Sequence, residues 1–163
     1  MTSVAALLGV ALGAWLTSRR ESRTAQRSLL DQRRAERRDV YVRFLAASDR
    51  AVAQAWETGR KRTSVTPLME RQQHWLDWVA VRDDLRLRLT EISLAAPHMI
   101  LERAADVVTC ATEFGHQSLL AGEEGGMETP ASDHQKAYNK RMAKLIAAMQ
   151  IDLDYPPEGI SPS

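Results

Sequence analysis

Glu113 and His116 stand three residues apart, a spacing that puts a carboxylate and an imidazole on one helix face, as a di-iron bundle uses them. Such a centre needs two of these pairs and two further Glu from the other helices, and the sequence holds no second pair. His116 also follows Gly115 near an expected helix end, which suits a surface or capping role. Cys110 is the single cysteine, so an intramolecular disulfide and any multi-cysteine metal site are excluded. A nucleophilic thiol needs a His, Lys or helix N-terminus to lower its pKa, and Thr109 and Ala111 supply neither. Cys110 therefore reads as a small apolar residue on a buried face. The adjacent carboxylates Asp83 with Asp84 and Glu123 with Glu124 read as solvated charge. Phosphate-loop, H-E-x-x-H and dinucleotide glycine patterns do not occur. No catalytic residue, cofactor or metal is expected.

The elements that would position such groups are helices. Eight glycines and six prolines in 163 residues fall at a few points rather than every ten residues, as sandwich turns would. With 44% apolar and 26% charged residues, the chain has the composition of one folded domain.

The first eighteen residues carry no charge, and Val4 to Leu16 is apolar without a break. As a helix this segment rises about 27 Å, close to the ~30 Å hydrocarbon core of a bilayer. A signal peptide begins with a basic region and ends at a small-residue cleavage site. "MTSVAALL" has no Lys or Arg, and the arginines follow the segment instead. The expectation is a single-pass plasma-membrane anchor, N-terminus outside, with a cytoplasmic C-terminal domain, the arginine flank marking the inner side. Trp15, Arg19, Arg20, Arg23 and Arg27 would contact lipid headgroups. Ala5, Gly9, Gly13 and Thr17 recur every four residues and form one small stripe that would let two spans associate. The alternative is that Gly and Ala are simply common in such spans.

From Arg19 to Trp56 there is neither proline nor glycine, so the helix is expected to continue as a basic stalk into a core helix. Its core stripe is Tyr41, Leu45, Ser48, Val52 and Ala55, widened by Phe44, Ala51 and Trp56. Gly59 is a natural stop, and Thr66 with Pro67 reads as a cap followed by proline at the first helical position. A second helix over 67–94 would bury Leu68, Trp75, Trp78, Val79, Leu85, Leu89 and Ile92. Within it "LRLRL" (Leu85 to Leu89) alternates as a strand does, but no second strand offers a partner. A third helix over 97–120 would bury Ile100 or Leu101, Ala104, Val107 or Val108, and Ala111. After the acidic loop "AGEEGGMETP", Thr129 and Pro130 repeat the cap, and a fourth stripe runs through Tyr138, Met142, Leu145, Ile146, Met149 and Leu153.

The expected fold class is all-α: an N-terminal transmembrane helix continuing into an antiparallel up-down-up-down four-helix bundle. Its parts are an anchor (1–18), a stalk (19–39), the bundle (40–153) and a tail (154–163). Net charge is +7 over residues 19–62 and −6 over 63–163, a polarity that helix can satisfy against helix. "GRKR" beside Trp56 is the one basic patch with an aromatic, too short a loop on too acidic a bundle for reading nucleic acid.

The uncharged N-terminal run, "RR", "ERRDVYVRFLAA" (Glu36 to Ala47) and "PHMILERAADVV" (Pro97 to Val108) together resemble a group of small actinobacterial proteins with an N-terminal membrane span and a helical cytoplasmic domain. The resemblance implies no activity and no functional residue. The functional expectation is therefore binding rather than catalysis: a scaffold, adaptor or regulatory subunit whose partners are the lipid bilayer, a protein of unknown identity, and further copies of the chain through the span. The alternative is an envelope-facing helical module such as a phage lysis factor of the spanin type.

Overall fold

A computed structural model describes the backbone of residues 3–61, 67–124 and 130–154 and the side chains of residues 27–59, 67, 69–118 and 133–154. Among the described residues the chain is entirely helical: α1 (Ser3–Lys61), α2 (Leu68–Ala95), α3 (His98–Glu124) and α4 (Pro130–Asp154). Contacts divide the chain into two units, Met1–Glu36 and Arg37–Ser163. Within the first, Gln32 Nε2 donates to Glu36 Oε1 at 3.0 Å and Arg34 lies 3.8 Å from Asp31, both along the helix surface.

The second unit is a helical bundle, with α2 packed on α3 and α3 on α4. Its core is supplied by Tyr41, Phe44, Ala47, Ala51 and Ala55 of α1, Trp78, Leu85 and Ile92 of α2, Ile100, Ala104, Val107, Ala111 and Phe114 of α3, and Tyr138, Met142, Leu145 and Met149 of α4. Ala47, Ala51 and Ala55 are four apart, so one line of α1 has no bulk and admits the large side chains opposite. Ser48 is buried among them with its hydroxyl donating to the Phe44 carbonyl at 2.9 Å, which satisfies the only polar atom of that side chain.

No helix among the described residues is long and apolar enough to cross a membrane. This overturns the expected single-pass anchor over residues 1–18 and the plasma-membrane location that followed from it. The physical reason is length. From the helix start at Ser3 to the arginine pair at Arg19 the rise is about 24 Å, short of the ~30 Å hydrocarbon core. The side chains of Ala5, Gly9, Gly13 and Thr17, and of Trp15, Arg19, Arg20 and Arg23, lie outside the described residues. Arg27 is exposed.

Helix boundaries differ from expectation for local reasons. Gly59 does not stop α1, which runs on to Lys61. Pro67 is the residue before α2 rather than its first: ψ of 147° is extended while its carbonyl already accepts from Arg71 N–H at 3.1 Å. Thr66 and Thr129, the expected caps, lie outside the described residues. Pro97 behaves as Pro67 does, accepting from Ile100 and Leu101 N–H at 2.9 and 3.2 Å, so α3 begins at His98. The ring of Pro97 forces Ala96 to an extended ψ of 156° and ends α2 there. α3 extends through Glu124 and takes up the start of the expected acidic loop.

"LRLRL" is helical. Two residues subtend about 200° on a helix, so Leu85 faces the core while Leu87 faces away. Trp56 and Trp75, expected in the core, are 39% and 43% exposed, and Ile146 is also exposed.

Candidate interaction surface

α2 carries apolar residues on two opposite faces. Trp78, Leu85 and Ile92, seven apart, enter the core. Met69, Leu76, Leu87 and Leu94 face the other way and are 80%, 52%, 55% and 85% exposed. With the exposed Ala80 they fall within about 20° of one line at 3.6 residues per turn. The stripe therefore runs nearly the whole helix. Scattered exposed leucines need no account, but an aligned set on one helix is a surface.

The flanks of that stripe carry charge that is already paired. Arg82 donates to Asp83 Oδ1 through Nε at 3.0 Å and Nη2 at 2.9 Å. Arg88 bridges Asp84 at 3.2 Å and Glu91 at 2.6 Å. From α1, Arg43 reaches Glu91 at 3.4 Å and Arg50 reaches Asp84 at 2.9 Å. These pairs are half-exposed and serve register more than stability.

The α1–α4 seam is more buried. Asp152, with a side chain 7% exposed, accepts from both Arg37 Nη1, at 3.1 Å, and the Tyr41 hydroxyl, at 2.7 Å. Nearer the other end of the same seam, the Tyr138 hydroxyl donates to Asp49 Oδ1 at 3.3 Å. Burial, then the bond to Asp152 and its charge, push the Tyr41 phenol pKa well up, with Arg37 opposing. Burial, then the Asp49 charge and bond, do the same for Tyr138. On the opposite seam, Arg103 donates to the Lys144 carbonyl at 3.0 Å and Arg141 to the Asp106 carbonyl at 3.5 Å.

The residues suspected of chemistry do not converge. Cys110 is buried in α3, and burial raises its thiol pKa, the reverse of activation. Glu113 and His116 are both exposed, and the His116 ring lies 6.3 Å from Trp75. No group of three or more His, Cys, Asp or Glu among the described residues is arranged to hold a metal ion. A cleft of about 320 Å3 between α1 and α2 is lined by Gln54, Glu57, Thr58, Glu70, Gln73, His74 and Asp77. Thr58 Oγ1 and His74 Nδ1 in that lining are buried without a hydrogen-bond partner, as are Trp78 Nε1 and Ser118 Oγ. The lining holds three carboxylates and one imidazole, and one of the carboxylates, Asp77, already accepts from Gln73 Nε2 at 2.8 Å. A second groove, about 440 Å3, runs beside Asp49, Trp56 and Tyr138 between α1 and α4.

Sequence reading found the residues of the α2 core face but not its outer stripe. The signal was present: Leu76, Leu87 and Leu94 are what remains when Trp78, Leu85 and Ile92 are assigned to the core. Asp152 and Asp49 had no sequence signal, because nothing in their neighbours marks which carboxylate meets a tyrosine of another helix.

Among the described residues the chain is an all-helical bundle whose α2 carries an exposed apolar line on the side away from the core. No protein family, curated protein or solved structure matches the chain.

Proposed function

We propose that the protein acts by binding: a helical-bundle module, serving as scaffold, adaptor or regulatory subunit, that docks another helix along the outer face of α2. The observation that carries this is the exposed line Met69, Leu76, Ala80, Leu87 and Leu94 on a helix whose other face is core. The occupant this chemistry suits is an amphipathic helix with an apolar seam of similar length and neutral or already paired charges at its edges. A bundle in up-down-up-down order presents such a face at one corner. The paired residues support that order. Arg43 with Glu91 and Arg50 with Asp84 run in opposite senses along α1 and α2, as do Tyr41 with Asp152 and Asp49 with Tyr138 along α1 and α4. Arg103 with Lys144 and Asp106 with Arg141 do so along α3 and α4.

The test is a photo-crosslinking side chain placed at Leu87 and, as a control, at Gln150, which is exposed on α4. A covalent protein adduct at Leu87 well above that at Gln150 is expected. Equal or absent adducts at the two positions overturn the reading.

A further inference from the structure

We infer that the helix α2 binds is α2 of a second copy of this chain, in antiparallel register about a two-fold axis between Val81 and Arg82. This rests on the reading of that face as an interface. The argument is the spacing of the stripe itself. An isologous contact must be self-complementary, each residue meeting one that also lies on the same patch. Reversing α2 about the point between Val81 and Arg82 puts Met69 opposite the partner's Leu94 and Leu76 opposite the partner's Leu87. Every large exposed apolar residue of the stripe thus meets another.

The residues at the centre fit a close approach. Ala80 would face the partner's Asp83, so the axis passes beside a small side chain where two helices must come nearest. Asp83 is not a bare charge there, since Arg82 of its own helix holds it with two hydrogen bonds. Charge on the described part of α2 is nearly balanced, five acidic residues (Glu70, Asp77, Asp83, Asp84 and Glu91) against four arginines (Arg71, Arg82, Arg86 and Arg88). Two copies therefore bring little net charge into the contact. The edges are polar: Gln73 lies on the same edge as the partner's Glu91 and Gln72 on the same edge as the partner's Thr90, each about 1.5 Å off level. Antiparallel pairing also sets the two helix dipoles in their favourable sense.

The area says how tight this pairing is. From Met69 to Leu94 the stripe is about 37 Å long, and a helix contact about 10 Å wide covers roughly 400 Å2 per copy, or ~800 Å2 in all. Stable dimers bury about 1,200 Å2 or more, so this is a weak, concentration-dependent association.

Cysteine crosslinking of the purified full-length chain tests both partner and register, and the native thiol, Cys110, is buried and gives little background. Near the axis, Ala80 and its symmetry mate lie about 4.5 Å apart along the helix, within disulfide reach for helices 8–10 Å apart. Ala80→Cys is expected to form a covalent dimer under mild oxidation, at least about tenfold faster than Gln150→Cys. Leu94→Cys alone is expected to stay monomeric, its mate being about 38 Å away, yet to crosslink when mixed with Met69→Cys. The pair Leu76→Asp with Leu87→Asp is expected to weaken the dimer at least about tenfold by sedimentation, with helical content unchanged, because carboxylates would be desolvated in the contact. Self-linking of Leu94→Cys, which needs a parallel pair, or an Ala80→Cys rate equal to the Gln150→Cys control overturns the inference. If Ala80→Cys fails while the Leu87 photo-probe captures a different protein, self-pairing falls and the binding face stands. If both fail, the face falls too.

Discussion

Gly115 of α3 lies so close under the indole of Trp78 that a Cβ on residue 115 would clash with Cζ2, Cη2 and Cε2 of the ring. Trp78 is buried and belongs to α2, so this contact fixes how far α2 and α3 approach at the end of the bundle away from their shared turn. Glycine is there for space, not for backbone freedom.

Gly115→Ala should therefore destabilise the protein although alanine is the better helix former. The propensity gain of about 1 kcal/mol is outweighed by overpacking of about 2–3 kcal/mol, for a net loss of about 1–2 kcal/mol in urea unfolding. In a Trp78→Leu background the same substitution should become neutral or stabilising. A Gly115→Ala penalty that persists without the indole would show that the ring is not its cause.

Tyr41 and Tyr138 should remain protonated where an ordinary phenol, with a pKa of about 10, ionises. Both folded-state pKa values are raised, first by burial and then by a carboxylate partner. The stability this contributes is complete below the unfolded value and is lost as pH rises toward the folded one. Hence unfolding free energy should begin to fall above about pH 10. At about pH 11, Tyr41→Phe and Tyr138→Phe should leave the tyrosinate absorbance of the folded protein unchanged. A drop in that absorbance for either variant would contradict the assignment.

Removing the carboxylate of Asp152 should cost more than removing any exposed ion pair. Asp152→Ala leaves the buried Tyr41 hydroxyl and the half-buried Arg37 guanidinium without their acceptor, a loss of about 2–4 kcal/mol. Arg50→Ala, which breaks an exposed pair with Asp84, should cost under about 1 kcal/mol. Equal losses for the two, by chemical denaturation, would show that the seam is not stabilised by this network.

Cys110 should be inert to thiol reagents at neutral pH in the folded protein. It is buried in α3 and its thiol pKa is raised by that burial, with Arg141 only partly opposing. Labelling is expected to follow unfolding, rising steeply in denaturant. Modification that outpaces unfolding would place the thiol at the surface.

Much of the helical architecture was legible because it depends on local rules. Proline at 67, 97 and 130 and the absence of proline and glycine from Arg19 to Trp56 set where helices start and how long α1 runs. The seven-residue spacing of Trp78, Leu85 and Ile92 announced a buried face. The membrane expectation failed on a narrow margin of length: counted from Met1 the charge-free run rises about 27 Å, but the helix begins at Ser3 and rises only about 24 Å before Arg19.

What the sequence determined by itself, then, is the set of helices and the face of each that is apolar, since periodicity and chain punctuation act within a few residues. Only the tertiary structure decided which of two apolar faces of α2 is covered. A second stripe at the same period is indistinguishable from core until neighbouring helices occupy one side. The same holds for Asp152 with Tyr41 and for Gly115 with Trp78: each is a contact between helices distant in the chain, and a pairing across such separations leaves no local mark on either residue.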